Sequence, residues 1–440
     1  MTEPRAEQPE YFPEAFPRDA FPRYVWAEGD RPAELPHEVW LSETTHRDGQ
    51  QGGLPLNAER SCRIYDILCE VTGGSGAIRH AEFFPYRDSD RKALLYALDR
   101  HRDGAPVEPT TWIRARREDV ELIQKLGVTE TGLLSSSSDY HTFHKFGDGG
   151  REGAAAMYLE AVRVALDHGI RPRVHLEDTT RSDPAFVQRL VEDVLRLADR
   201  YPAELAPRFR ICDTLGIGLP FTDVAAPRSV PRWIRLLRGL GLAPHQIELH
   251  PHNDTWMVVA NCVAAIREGC GVISGCTLGT GERTGNAPLE AVLVHLLGMG
   301  YWPDGGVDLT AVNKLVELYD EIGVGPSPKY PIFGRDAYVT RAGIHADGLN
   351  KFWWMYAPFN APLLTGRELD VALTKDSGQA GLLFVLNKRL GLALEKNDPR
   401  LAPVQAWLDG QWEAGRVSAV DWSELEPLVA LALSAAPNGA

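Results

Sequence analysis

The chain has 440 residues, enough to bury a large core and to build a main domain with additions. Hydrophobic residues make up 44% and charged residues 24%, an ordinary globular balance, and no apolar run approaches the ~20 residues of a membrane span. A formal net charge of -14 argues against a nucleic-acid-binding face, although it leaves room for a local cationic pocket.

Residues 1–36 read as an N-terminal extension that is acidic, aromatic and rich in proline. It lacks a basic start followed by an apolar stretch, so it is not read as a signal peptide. From 37 to 300, short apolar runs alternate with stretches of 3.6-residue periodicity. Eight candidate strands fall near 38–43, 78–84, 110–114, 130–135, 172–177, 208–213, 246–250 and 272–277. One of the helical stretches between them carries Val187, Leu190, Val191, Val194 and Leu195 on one face. This order and length predict an α/β fold of the (β/α)8 TIM-barrel type. A doubly wound sheet would carry a glycine-rich phosphate turn after its first strand, and here that turn reads Arg47-Asp48-Gly49-Gln50-Gln51.

Residues 301–440 predict a smaller, mostly helical C-terminal part. It comprises a turn at 301–306, a helix over 309–322, a Pro/Gly-rich linker over 323–334, a lid region around His345 and a helical tail from Pro399. The six cysteines contain no CxxC pair and sit mostly in apolar segments. Reduced buried thiols follow, and with them an expected cytoplasmic location.

Two separated segments carry the chemistry. Arg47-Asp48 follows the first strand, and His250-Pro251-His252 ends the seventh. One carboxylate and two imidazoles can hold a divalent metal and leave positions open for substrate and water. The adjacent arginine can offset the charge that a carbonyl oxygen develops. An HxH pair alone could be a hydrogen-bonded strand end, but both segments lie at strand C-termini, where barrels assemble active sites.

Four segments together resemble the signature motifs of the DRE-TIM metallolyase superfamily. They are Ser42 to Gln51, Ile247 to Asp254, Gly279-Thr280-Gly281-Glu282-Arg283-Thr284-Gly285-Asn286-Ala287, and Gly343-Ile344-His345-Ala346-Asp347-Gly348. The resemblance is to the Claisen-condensing branch, with isopropylmalate, homocitrate and Re-citrate synthases, and it covers about residues 37–390. It implies an acyltransferase that converts an acyl group into an alkyl group on transfer. Acetyl-CoA would be the co-substrate and an α-keto acid the acceptor, in a homodimer with shared active sites and no nucleic-acid or membrane partner.

The implied metal ligands are Asp48, His250 and His252, with Asn286 holding a metal-bound water. Mn²⁺ or Co²⁺ suits this mixed set, with Zn²⁺ and Mg²⁺ as alternatives. The implied catalytic residues are Arg47 for the alkoxide, His345 as a base lent by the neighbouring subunit, Tyr356 as a donor to the thioester oxygen, and Glu177 and Glu248. A histidine suits the base because its pKa lies near working pH. Gln51, Glu82 and Thr214 match substrate-binding positions, although such strand-end acids could equally orient Arg47.

The departures point to the acceptor. Homocitrate synthases read Ile-Arg-Cys-His at the third strand and Arg-Phe-Ser at the fifth. This chain reads Ile113-Arg114-Ala115-Arg116 and Arg173-Val174-His175. Arg116, Arg173 and His175 are therefore expected around the distal anionic group of a short keto acid. Oxaloacetate, phosphinopyruvate or phosphonopyruvate would fit, and phosphinopyruvate would place the chain in phosphinothricin tripeptide biosynthesis. A related lyase would carry a cysteine-containing Gly-Cys-Pro loop where Gly279-Thr280-Gly281-Glu282-Arg283 stands here. A carboxyltransferase would need a strand-end lysine, and none is predicted. A barrel kept only for binding would have no reason to fill every acid, base and metal position.

Overall fold

The computed structural model describes residues 9–27, 35–303 and 305–434. The chain divides into two compact units, Arg23–Pro326 and the pair of segments Met1–Pro22 and Ser327–Ala440.

In the first unit eight parallel strands close into a barrel in sequence order: β1 (Trp40–Glu43), β2 (Ile78–Phe83), β3 (Glu108–Ile113), β4 (Glu130–Ser136), β5 (Arg171–Glu177), β6 (Arg208–Asp213), β7 (Ile247–Pro251) and β8 (Val272–Gly275). β8 pairs back on β1 through Trp40 opposite Val272. All eight expected strands are present, with ends shifted by at most two residues. The helices of this unit are α1 (Ala58–Thr72), α2 (Asp88–Arg102), α3 (Arg117–Leu126), α4 (Asp139–Phe146), α5 (Gly150–Asp167), α6 (Pro184–Ala198), α7 (Val230–Gly239), α8 (Val258–Arg267), α9 (Leu289–Gly298) and α10 (Val312–Glu321).

Local chemistry sets the helix ends. The Asn57 side chain accepts from Arg60 N to start α1. Asp183 caps α6 through Ala185 N, with Pro184 in the first turn. Helix α6 then buries Phe186, Val187, Leu190, Val191 and Val194 on one face. Each such side chain contributes about 1.5–3 kcal/mol by leaving water. Outward strand residues such as Val174, Leu176, Phe209, Ile211, Ile247 and Leu249 are fully buried, as parallel strands require.

The inward residues depart from the branched aliphatic layers usual in such barrels. Ser42, Glu82, Arg173, Arg210 and Glu248 meet in the interior and are buried. A polar layer of this kind must satisfy itself with internal partners.

The barrel unit extends beyond the expected 37–300 boundary at both ends. Tyr301 Oη donates to Pro36 O at 2.8 Å, and Tyr24 N donates to Gly298 O at 2.8 Å. Helix α10 packs on α1, so residues expected in the C-terminal part complete the helical ring.

The second unit contains α11 (Gly343–Lys351), α12 (Ala361–Thr365), α13 (Gly378–Leu390), α14 (Ala402–Glu413) and α15 (Trp422–Ser434). Leu349, Leu382, Leu386, Val404, Leu408 and Leu425 form its own core. Phe21 and Phe359 of the same unit are also buried, edge-on to each other at 4.7 Å. All six cysteines are free, four of them buried. Among the described residues no helix is long and apolar enough to cross a membrane.

Candidate active site

The first strand ends in an unusual turn. Thr44 O accepts from the amides of Arg47, Asp48 and Gly49 at 3.1, 2.6 and 3.3 Å, winding Thr45–Gly49 into one wide π-type turn. Such turns are frequent at functional sites. This one carries Arg47 and Asp48 beside the end of β7.

There Asp48 Oδ2 lies 3.4 Å from His250 Nε2 and 3.6 Å from His252 Nε2. One donor atom from each of the three falls within 4.8 Å of the others, and all three residues are buried. Asn286 Nδ2 donates to Asp48 Oδ2 at 2.5 Å, while its Oδ1 is buried without a partner. His250 Nδ1 sits 3.2 Å from Ser274 Oγ, which can fix the ring's orientation. Burial alone would raise Asp48, but Arg47 and the two histidines hold it well below the usual carboxylate range. Burial pushes His252 down to about 3, helped by His250. Burial lowers His250 as well, against the pull of Asp48. An ionised carboxylate and two neutral imidazoles are the protonation states that a divalent cation requires. The donor set therefore fits a metal.

A cavity of about 310 Å³ opens above these groups. Arg47, Asp48, His250 and His252 line one side, and Gln51, His175, Glu177 and Thr214 line it as well. The Arg47 guanidinium lies 4.9 Å from the centre of the Trp112 ring, 3.3 Å from Asp48 Oδ1 and 3.9 Å from Glu82 Oε1. Glu177 lies 2.8 Å from Lys145 Nζ and 3.1 Å from His141 Nδ1. Burial would raise Glu177, but His141, Lys145 and Ser136 hold it at about 2. Thr214 Oγ1 accepts from Asp178 N at 2.8 Å.

Three expected site residues lie beneath the cavity instead of on its wall. Arg173 is fully buried, donating to Ser42 Oγ at 3.0 Å and Thr110 Oγ1 at 2.9 Å, with Glu82 and Glu248 each 3.3 Å away. Its guanidinium is committed to the interior, which corrects its expected place around the substrate. Glu248 accepts from Arg210 at 2.8 Å. Glu82 accepts from Arg210 at 3.0 Å and from Thr44 Oγ1 at 3.0 Å. Both acids therefore face buried side chains inside the barrel, and Glu82 Oε1 also lies 3.9 Å from Arg47 Nε.

Arg116 is the clearest correction. β3 ends at Ile113, so Trp112 is its last inward side chain and takes the wall position. The chain then turns, Arg114 pairs with Asp119 at 2.9 Å, and Arg116 becomes the exposed N-cap of α3. It does not line the cavity.

His345 and Tyr356 belong to the second unit. His345 is on α11, and its ring centre lies 4.3 Å from that of Tyr356. Gly348 makes this contact available, since a Cβ there would stand 2.3 Å from Tyr356 Cε2. Trp112, Arg210 and Cys212 were not singled out from the sequence. Their signal is the phase of β3 and β6: Trp112 stands two residues before Arg114, and Cys212 and Arg210 stand two and four residues before Thr214.

A family model described as HMGL-like matches residues 38–318. The chain belongs to this family. It is 81% identical over 429 residues to 2-phosphinomethylmalate synthase of Streptomyces hygroscopicus, covering 98% of each chain. It is 39% identical over 428 residues to citrate (Re)-synthase of Clostridium kluyveri, covering 96% of this chain and 93% of the relative. The membership expected from the four motifs thus holds. Hydroxymethylglutaryl-CoA lyase from Pseudomonas aeruginosa aligns with a TM-score of 0.52 at 18% identity, over 67% of this chain and 95% of the lyase, and shares the fold.

Proposed function

We propose that this chain condenses acetyl-CoA with phosphinopyruvate, releasing CoA and 2-phosphinomethylmalate. The single observation that carries the reading is the 81% identity across nearly the whole of both chains with 2-phosphinomethylmalate synthase. Class and chemistry follow as an acyltransferase that converts the acyl group into an alkyl group. The reading includes a role in phosphinothricin tripeptide biosynthesis and a homodimeric assembly.

Asp48, His250 and His252 would hold one divalent cation, Mn²⁺ or Co²⁺ by donor type, with Asn286 steadying Asp48. When bound, such a cation supplies Lewis acidity to the ketone of the keto acid. The remaining work falls to the chain. Thr214 and Gln51 receive the keto-acid carboxylate on the cavity wall, and His175 faces its distal group. His345 removes a methyl proton from acetyl-CoA while Tyr356 donates to the thioester oxygen. The enolate carbon bonds to the ketone carbon, and the electron pair of the ketone moves to its oxygen. Arg47 stands at that oxygen, held by Asp48 and Glu82. The alkoxide takes up a proton in place of the one that left the methyl carbon, and water then cleaves the thioester, giving a carboxylate, free CoA and a proton. A groove of about 300 Å³ beside the cavity, lined by Gly49, Gly52, Gly281 and Arg283, suits the extended arm of the thioester.

The test is release of free thiol from acetyl-CoA, followed with a thiol reagent. Phosphinopyruvate, phosphonopyruvate, oxaloacetate, 2-oxoglutarate and 2-oxoisovalerate are compared. Phosphinopyruvate should give the highest kcat/KM, with oxaloacetate second. A preference for 2-oxoisovalerate overturns the assignment.

A further inference from the structure

Gly132 sits within β4 and is buried. Its φ is not among the positive values that favour glycine, so backbone conformation does not explain it. Its neighbours do. A Cβ on Gly132 would lie 2.4 Å from His175 Nε2 and 2.5 Å from His175 Cε1, with Glu82 Oε2 at 3.3 Å. Carbon contacts settle at about 3.5–4.0 Å, so the tip of the imidazole fills the space that a side chain would need.

No hydrogen bond holds the ring tip there. His175 Nε2 and Glu82 Oε2 are both buried without a hydrogen-bond partner, 3.6 Å apart. Burial, reinforced by Arg210, Arg173 and Arg47, pushes His175 well below the usual imidazole range. The ring is therefore neutral, and Gly132 leaves the space that its tip occupies. Glu82, itself 3.3 Å from Arg173, stands beside the ring tip, and the cavity that His175 lines is the open side.

We infer that Gly132 is a specificity-determining residue: its missing side chain is a socket that holds the His175 ring back and sets the size of acceptor that the cavity admits. The consequence for specificity rests on the keto-acid reading above; the steric coupling does not. Any side chain at 132 sends the ring into the cavity, since the ring is the part that can move.

The experiment is a double-mutant cycle of Gly132→Ala and His175→Ala, read by thermal unfolding and by kinetics with phosphinopyruvate and with the smaller pyruvate. Gly132→Ala should lower kcat/KM for phosphinopyruvate about tenfold or more, mainly through the KM of the keto acid, and for pyruvate less than about threefold. The KM of acetyl-CoA should not move. With His175 already alanine, Gly132→Ala should cost less than about twofold, and its fall in Tm should shrink in the same way. A Gly132→Ala chain that folds only when His175 is also alanine supports the socket equally. Equal losses in both backgrounds overturn it. A wild type inactive on every keto acid sinks the proposed function instead, and the unfolding cycle alone then decides the socket: a non-additive Tm supports it and an additive one overturns it.

Discussion

Arg173 and His175 stand two residues apart on the same face of β5, yet only His175 reaches the cavity. Arg173 is one layer lower, ringed by Glu82, Glu130 and Glu248. Removing one partner from such a cluster strands the others in low dielectric. Arg173→Met should cost about 3–5 kcal/mol of folding stability by urea unfolding. Arg173→Lys should recover little, because one ammonium cannot replace the planar fork that serves several acceptors. A loss below about 1 kcal/mol for Arg173→Met would show that the cluster is not charged as drawn.

The exposed position of Arg116 makes a contrasting prediction. Its side chain neither lines the cavity nor supports a wall residue. Arg116→Ala should change stability by no more than about 0.5 kcal/mol. Its kcat/KM for a dianionic keto acid should stay within about twofold of wild type. A tenfold loss confined to acceptors with a distal charge would return Arg116 to the substrate pocket.

Acid should weaken the barrel through the same interior layer. Burial would raise Glu248, but Arg210 and Arg173 hold it at about 2, against an ordinary value of 4.5. Glu82 is likewise held low by Arg210, Arg173 and Arg47 against its burial. A carboxylate depressed on folding stabilises fully above its unfolded pKa and loses that contribution as pH falls through the folded value. Stability attributable to these two groups should be flat from pH 8 to pH 6 and should fall from about pH 4.5 downward. Urea midpoints across this range check it, and Arg210→Met should move the fall to higher pH. An unchanged acid limb in that variant would mean that other carboxylates set it.

How much of this was legible in the sequence depends on how local each signal was. Strand positions follow from runs bounded by turns, so Ile247 to Leu249 announced β7 without the rest of the chain. The proposed donors could be picked out because Asp48 stands in the turn after β1, and His250 and His252 stand at the end of β7. Arg173 and Arg116 were not. The height of an inward side chain depends on the stagger of all eight strands, which no single segment encodes. Arg173 pairs with Arg208, whereas His175 pairs with Arg210, and that register decides which of them meets the cavity. Arg116 depended on where β3 stops, and the Arg114–Asp119 pair settles that turn. The boundary near 300 followed the turn at 301–306, whereas α10 attaches by packing on α1 and the first unit ends at Pro326, inside the Pro/Gly-rich linker.

Removing the metal should act on both activity and stability. A ligand bound only by the folded chain stabilises it by about 2.7 kcal/mol at one hundred times its Kd. Chelation should abolish thiol release and lower Tm, and Mn²⁺ or Co²⁺ should restore both. His252→Ala should purify with little metal by elemental analysis and show no Tm shift on adding the cation. A metal-free preparation with full activity would remove the cation from the reaction.

The base tests the assembly. His345 and Tyr356 lie in a unit with its own hydrophobic core, while Arg47 lies in the barrel unit. The proposed homodimer lends His345 of one copy to the barrel of the other. His345→Ala and Arg47→Ala should each be nearly inactive, since each removes one group from both sites. Mixed under conditions that let subunits exchange, they should regain activity, because a hybrid dimer contains one site with both groups intact. Random exchange of equal amounts makes half of the dimers hybrid, and each hybrid has one working site of two. The ceiling is therefore about one quarter of wild-type activity, by the pairing rule of a two-fold interface. Recovery that grows with exchange time toward that level supports the shared site. If complete exchange, verified by tagged subunits, leaves the mixture inactive, each barrel must take its base from its own chain.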